Sequence, residues 1–136
     1  IFVQVMLGAL LAGSDGGKAY ADWPTIGGEW VPSSAFGLEG FWANLTEEHA
    51  TQHLLHRTFG YVVALAALLL ALVGLIRGQG EARWALGLVG LVALLQAGLG
   101  IMTVLAVSPL SLSLLHQAGA TILWMITLVA ARAAWR

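Results

Sequence analysis

Three long apolar stretches set the terms for this chain. They run from about Leu54 to Ile76, Trp84 to Val107 and Pro109 to Ala131. A helix rises about 1.5 Å per residue, so each stretch is close to the roughly 20 residues that cross a bilayer core. Only 10% of the residues are charged and 59% are hydrophobic, whereas a soluble domain carries roughly 25% charge. The polar residues are also gathered, into a segment from about Ser14 to His49, the short link Arg77–Arg83 and the C-terminal end. The reading is an integral membrane protein, all-α, built as a polytopic four-helix bundle.

The first of the four helices is short. Ile1–Gly13 is apolar throughout but too brief to span, and it has neither an initiator Met nor a basic flank that would make it a signal peptide. It is expected to be the second half of a truncated helix. Helices are expected at about 1–13, 49–76, 84–107 and 109–131, with a long loop over 14–48, all in one domain. Cysteine is absent, which removes disulfides, thiolate ligation and thioether attachment of a cofactor. The net charge of −1 says little about partners, and no nucleic acid is expected among them.

Charge placement orients the bundle. Arg77 and Arg83 flank the link between the second and third helices, and Arg132 and Arg136 close the fourth. All four fall on one side, which the positive-inside rule makes cytoplasmic or its matrix equivalent. The long loop, with Asp15, Asp22, Glu29, Glu39, Glu47 and Glu48 against a single Lys18, falls on the outer side. Lipid is therefore the first partner, in a bacterial plasma membrane or mitochondrial inner membrane.

His56 and His116 each lie near the start of an apolar helix. An imidazole inside a membrane is costly and needs a partner, so each is a functional-site candidate. His56 lies about 21 residues before Arg77 and His116 about 16 before Arg132. That places them ~30 and ~24 Å above the inner boundary, within about one helical turn of each other. Two imidazoles at one level suit a shared ligand, and a heme iron held from both faces fits best. Gly60 lies four residues after His56, and Gly119 and Ala120 lie three and four after His116. Such small residues provide either clearance for a porphyrin or helix–helix contact.

Other residues carry smaller expectations. His49, His53 and His56 form a stripe at helical spacing, which a zinc or copper ion could use. The favoured division makes His56 the ligand, His53 a supporting neighbour and His49 merely exposed. Arg57 either neutralises a propionate or reaches to the surface. Asn44 or Thr46 is expected to cap the second helix, with Glu47 and Glu48 in its first turn. Ser108 and Pro109 read as the cap and first residue of the last helix. Trp23, Trp30 and Trp42 suit an interfacial belt, and Gly87, Gly90, Gly98 and Gly100 suit packing faces. Asn44-Leu45-Thr46 matches a glycosylation sequon, a pattern too frequent to carry weight. No carboxylate pair, nucleophile triad or phosphate loop is visible in the apolar segments, so catalytic residues stay unknown.

Several runs together resemble a known family. They are the series Asp15, Gly17, Tyr20, Trp23, Pro24, then FWANLTEEHATQHLLHRTFGY with its pair His56-Arg57, then Leu115-His116-Gln117. In order and placement they resemble the C-terminal half of heme A synthase, over essentially the whole chain. That family has eight membrane helices in two similar four-helix halves. It oxidises a methyl group of heme O to a formyl group, through hydroxylation with water-derived oxygen, and supplies heme A to terminal oxidases.

The resemblance implies that His56 and His116 ligate a b-type heme that passes electrons; Arg57, Gly60 and Gly119 are, from their positions, the further residues expected to contact it. It implies that the substrate heme O sits in the missing N-terminal half, next to an acidic residue three before a His-Arg pair. Here that position is His53, where the C-terminal half is expected to have Gln, so this half is not expected to be catalytic and would be inactive alone. Further implied partners are an electron donor or acceptor, and a heme O synthase or oxidase assembly proteins. Two rivals remain. One is a bis-histidine membrane cytochrome serving quinol-linked electron transfer. The other is a heme-free assembly scaffold in which the histidines hold helices together.

Overall fold

The computed structural model describes residues 1–135, so Arg136 and its part in the charge pattern lie outside the described residues. Three helices are long and apolar enough to span a membrane: α3 (His49–Arg77), α4 (Gly80–Leu105) and α5 (Leu110–Ala134). The short apolar helix α1 is Phe2–Gly13, and α2, Phe41–Thr46, lies within the long loop together with a single 3-10 turn at Gly16–Lys18. The expected all-α class holds, and the loop carries more helix than its sequence suggested.

α1 packs on α3 and α5, and α4 packs on the same two helices. The four therefore close into a ring in which α3 and α5 stand diagonally and run parallel. Small residues hold the α3–α4 seam together. Ala67, Ala71 and Gly74 recur at spacings of four and three on one face of α3, opposite Leu86, Val89, Gly90 and Ala93 of α4. A Cβ on Gly90 would lie 2.5 Å from the Ala71 Cβ, and one on Gly74 would lie 2.6 Å from the Leu86 Cβ. Backbones this close gain dispersion and lose little side-chain entropy, the usual way helices associate without a water-driven force. Of the glycines assigned to packing faces, Gly98 departs: it is exposed, and a Cβ there would meet nothing within 4 Å.

Large side chains such as Leu65, Leu69, Ile76, Leu95, Leu128 and Val129 point outward and are more than half exposed. In water such a surface would drive aggregation, but against lipid it is the expected exterior. Trp30 and Trp42 are exposed at the loop end, and Trp84 and Trp135 at the other, so aromatic residues mark both ends of the bundle.

The helix ends correct two expectations. Glu48, not Asn44 or Thr46, caps α3, its carboxylate accepting the N–H groups of Ala50 and Thr51. Asn44 is buried inside the loop, where its amide closes on Leu38 and Gly40. Thr46 bonds back to the Trp42 carbonyl. A carboxylate there satisfies two of the free donors and is favoured by the positive end of the helix dipole. Likewise α5 starts at Leu110 with Pro109 as its cap residue, while the Ser108 hydroxyl donates to the Gly17 carbonyl at 2.7 Å. That bond straps the short α4–α5 turn to the start of the long loop.

The loop folds over the head of α3, where Ala50, Thr51, Gln52 and His53 are almost wholly buried. Gln52 accepts from the Ser14 hydroxyl (2.7 Å) and donates to the Leu45 carbonyl (3.1 Å), and Thr51 accepts from the Phe36 N–H (2.7 Å). Within the loop, Asp22 accepts from the N–H groups of Gly28 and Gly27 (2.9 Å each) and from the Thr25 hydroxyl (2.7 Å). Gly27 and Gly28 sit at φ of 63° and 84°, the left-handed region that lets both amides face one carboxylate. The Gly28 N–H foremost, with Thr25 and Gly27, holds the Asp22 carboxyl far below the usual carboxylate range.

Two outcomes are expected. Gly90→Val should destabilise the bundle by about 1–3 kcal/mol through overpacking, while Gly98→Ala should be neutral or slightly stabilising, both read by thermal unfolding in detergent. For Asp22, the unfolded carboxyl takes up a proton at about pH 4, while the folded one resists. Its contribution is therefore complete above about pH 5 and falls as the solution is acidified toward the folded value. Asp22→Asn should loosen the loop at neutral pH and flatten its acid dependence, followed by hydrogen exchange of the Gly27 and Gly28 amides.

Candidate functional site

Both singled-out histidines meet inside the ring. His56 lies two turns into α3 and His116 two turns into α5, so the parallel diagonal helices bring them to one level. Their ring centroids are 6.5 Å apart and their planes are nearly perpendicular, at 89°. Two imidazoles bound to opposite sides of one metal, with metal–nitrogen bonds of roughly 2 Å, place their centroids roughly 6 Å apart. The spacing fits one shared atom.

Each ring is held by a glutamine from a neighbouring helix. Gln4 of α1 places its Nε2 3.1 Å from His56 Nδ1 and donates to the His56 carbonyl at 3.0 Å. Gln96 of α4 does the same to His116, with 3.0 Å to Nδ1 and a second bond to the His116 carbonyl. Since Nδ1 is occupied in both rings, Nε2 is the nitrogen left for a ligand. The Gln4 Oε1 is buried without a hydrogen-bond partner among the described residues.

Glycines make these contacts fit. A Cβ on Gly8 would lie 2.9 Å from His56 Cε1, and one on Gly100 would lie 2.8 Å from His116 Cε1. The space beside Gly60 and Gly119, read from sequence as porphyrin clearance or helix contact, is taken by Gln4 and Gln96 respectively. In each case the glutamine and the ring glycine are four apart, one turn along the same face. The run Gln-x-x-Leu-Gly thus occurs twice, at Gln4–Gly8 and Gln96–Gly100, and Leu-Leu-His occurs twice, at Leu54–His56 and Leu114–His116. That internal repeat was the available signal for the two glutamines and for Gly8 and Gly100, none of which was assigned to the histidines from sequence.

The rest of the histidine stripe goes elsewhere. His53 donates from Nε2 to the Gly16 carbonyl (2.8 Å), and its Nδ1 receives an Arg57 N–H (3.0 Å). Tyr20 packs edge-on against its ring. His53 therefore supports the loop and not the His56 imidazole. His49 is half-buried, not fully exposed. Among the described residues no three His, Asp or Glu side chains are placed to hold a metal ion together. The Arg57 guanidinium also donates to the carbonyls of Asp22 (2.9 Å) and Thr25 (2.7 Å). It turns under the loop, where it is half-buried. Trp23, assigned to the interfacial belt, donates its indole N–H to the Tyr61 hydroxyl of α3 at 3.0 Å and so anchors the same stretch.

Comparison with known proteins gives a consistent result. A family model described as cytochrome oxidase assembly protein matches residues 1–128. The chain is 40% identical over 127 residues to a heme A synthase of Roseobacter denitrificans, covering 93% of this chain and 33% of that protein. It is 41% identical over 140 residues to a heme A synthase of Caulobacter vibrioides, covering 100% of this chain and 39% of that protein. A heme A synthase of Paracoccus denitrificans is 40% identical over 127 residues, with 93% and 33% covered. The chain thus spans between a third and two-fifths of the length of these relatives. No solved structure matches it.

Proposed function

The chain belongs to the cytochrome oxidase assembly protein family, and from that membership and the paired histidines we infer that it is the heme b-binding half of a heme A synthase. The observation that carries the reading is the pair of imidazoles at one level, 6.5 Å apart, with Nδ1 of both already engaged. His56 and His116 would hold the iron from opposite faces. Gly60 and Gly119 serve the site by seating the glutamines that hold those ligands. Arg57 brings a cation to the loop side of His56, where a propionate would find it.

When bound, the heme would supply one-electron transfer, with His56 and His116 as the residues that would hold it. The protein's part is positioning. The glycines let the rings approach the neighbouring backbones, the amides fix the ring planes, and the strapped loop covers the outer end of the bundle. None of Asp15, Asp22, Glu29, Glu39, Glu47 or Glu48 lies in the bundle interior between the rings. Oxidation of the heme O methyl therefore belongs to the rest of the full-length enzyme, and this portion relays electrons for it. The helix ends bearing Arg77, Arg83 and Arg132 lie opposite the loop, so the loop faces outward. Partners on this reading are the other half of the same protein with its heme O, a redox partner, and heme O synthase or oxidase assembly proteins.

One observation favours a heme-free scaffold as the second reading. Each histidine already has a polar partner on an adjacent helix, and such bonds average ~0.6 kcal/mol in membrane bundles. An optical spectrum of the protein supplied with heme separates the two readings. We expect a low-spin b-type spectrum that is lost, or turns high-spin, in both His56→Ala and His116→Ala. If the rings kept their 89° crossing with heme between them, the ferric EPR signal would be strongly anisotropic. Spectra unchanged by both substitutions would sink the ligand assignment.

A further inference from the structure

We propose that Gln4 and Gln96 are positioning residues that select Nε2 as the ligating nitrogen of each imidazole and set how strongly that imidazole donates to iron. The inference rests on the bis-histidine reading above. It stands on an arrangement built twice, by different helices, with nearly the same distances at Nδ1: 3.1 Å from Gln4 and 3.0 Å from Gln96. Each amide also donates to its histidine's own carbonyl, so it is gripped at two points. A single contact of this kind is ordinary helix adhesion. Two copies, each seated against a glycine and each facing the same ring atom, are a design feature of the ligand pair.

The chemistry explains why the residue is glutamine. In the ligand-free ring, the amide NH2 donates to Nδ1, so the ring proton sits on Nε2. When Nε2 gives its lone pair to iron, that proton must reside on Nδ1 and the ring stays neutral. Nδ1 then needs an acceptor, as metal-bound histidines almost always have one. A primary amide offers a donor and an acceptor on one planar group, so a half-turn about its last bond lets Oε1 accept from Nδ1, in exchange for the bond to the histidine's own carbonyl. The unpartnered Oε1 of Gln4 is the acceptor held in reserve. Leucine would serve neither tautomer, and an ionised glutamate only the ligated one.

The test is a redox titration and heme-dissociation assay on the heme-loaded full-length protein. It compares Gln4→Leu, Gln4→Glu, Gln96→Leu and Gln96→Glu with the unaltered protein. Both leucine variants should keep a low-spin spectrum, bind heme about 10- to 100-fold more weakly, and titrate at a higher potential. Loss of the acceptor makes the imidazole a poorer donor and destabilises the ferric state. The glutamate variants, close in shape to the original, should titrate lower, since a carboxylate draws the Nδ1 proton harder. Potentials that stay put, or that move the same way for Leu and Glu, would reduce the glutamines to packing and overturn the proposal. If heme is unaffected by His56→Ala and His116→Ala, the ligand reading itself fails, whatever the glutamine variants do.

Discussion

A polar group buried among lipid-facing helices has to find its partner inside the protein, because no solvent is there to supply one. In this chain that requirement is met by four side chains from four helices: Gln4, His56, Gln96 and His116. Their bonds tie α1 to α3 and α4 to α5 at the level where the diagonal helices come within reach of each other. The glycines at 8, 60, 100 and 119 follow from that constraint, since a methyl group at any of them would strike a ring or an amide. The rest of the bundle is held by short contacts such as Ala71–Gly90 and Gly74–Leu86, which are apolar and indifferent to chemistry.

A second polar block sits at the head of α3, and its logic differs. Thr51, Gln52 and His53 are buried by the folded loop and are satisfied largely by its backbone carbonyls and amides. Arg57 joins the two regions. It is one residue from His56 in sequence, and its guanidinium bonds His53 and the carbonyls of Asp22 and Thr25. Loop and histidine pair are thus mechanically linked through the first turns of one helix.

Much of this was legible in the residues themselves. Hydrophobic length marked α3, α4 and α5 to within a few residues, because lipid imposes one dominant constraint on a spanning helix. The level of His56 and His116 also followed from counting along helices of known rise. What escaped were features set by neighbours far away in sequence. Glu48 outcompeted Asn44 as a cap because Asn44 was needed to close the Leu38–Gly40 turn. Ser108 was diverted to Gly17 by a fold that brings residues 91 apart into contact. His53 looked like part of the His56 stripe because helical spacing gives the face but not what packs upon it. The glutamines were hidden for a different reason: a lone Gln in an apolar run looks like noise until its repeat at Gln96-x-x-Leu-Gly100 is set beside it.

That repeat has a geometric consequence. Two helix pairs, α1 with α3 and α4 with α5, carry the same Gln–His arrangement on facing sides of the ring. A flat guest placed between them would meet matching histidines on its two faces, so the histidine pair alone would give it no preferred way round. Handedness must come from where the halves cease to match. The mismatches adjoining the rings are Arg57 against Gln117, and a long folded loop against the short turn at Ser108. Which face of such a guest would turn toward which helix pair would therefore be set by one cation and one loop, not by the residues that match between the halves.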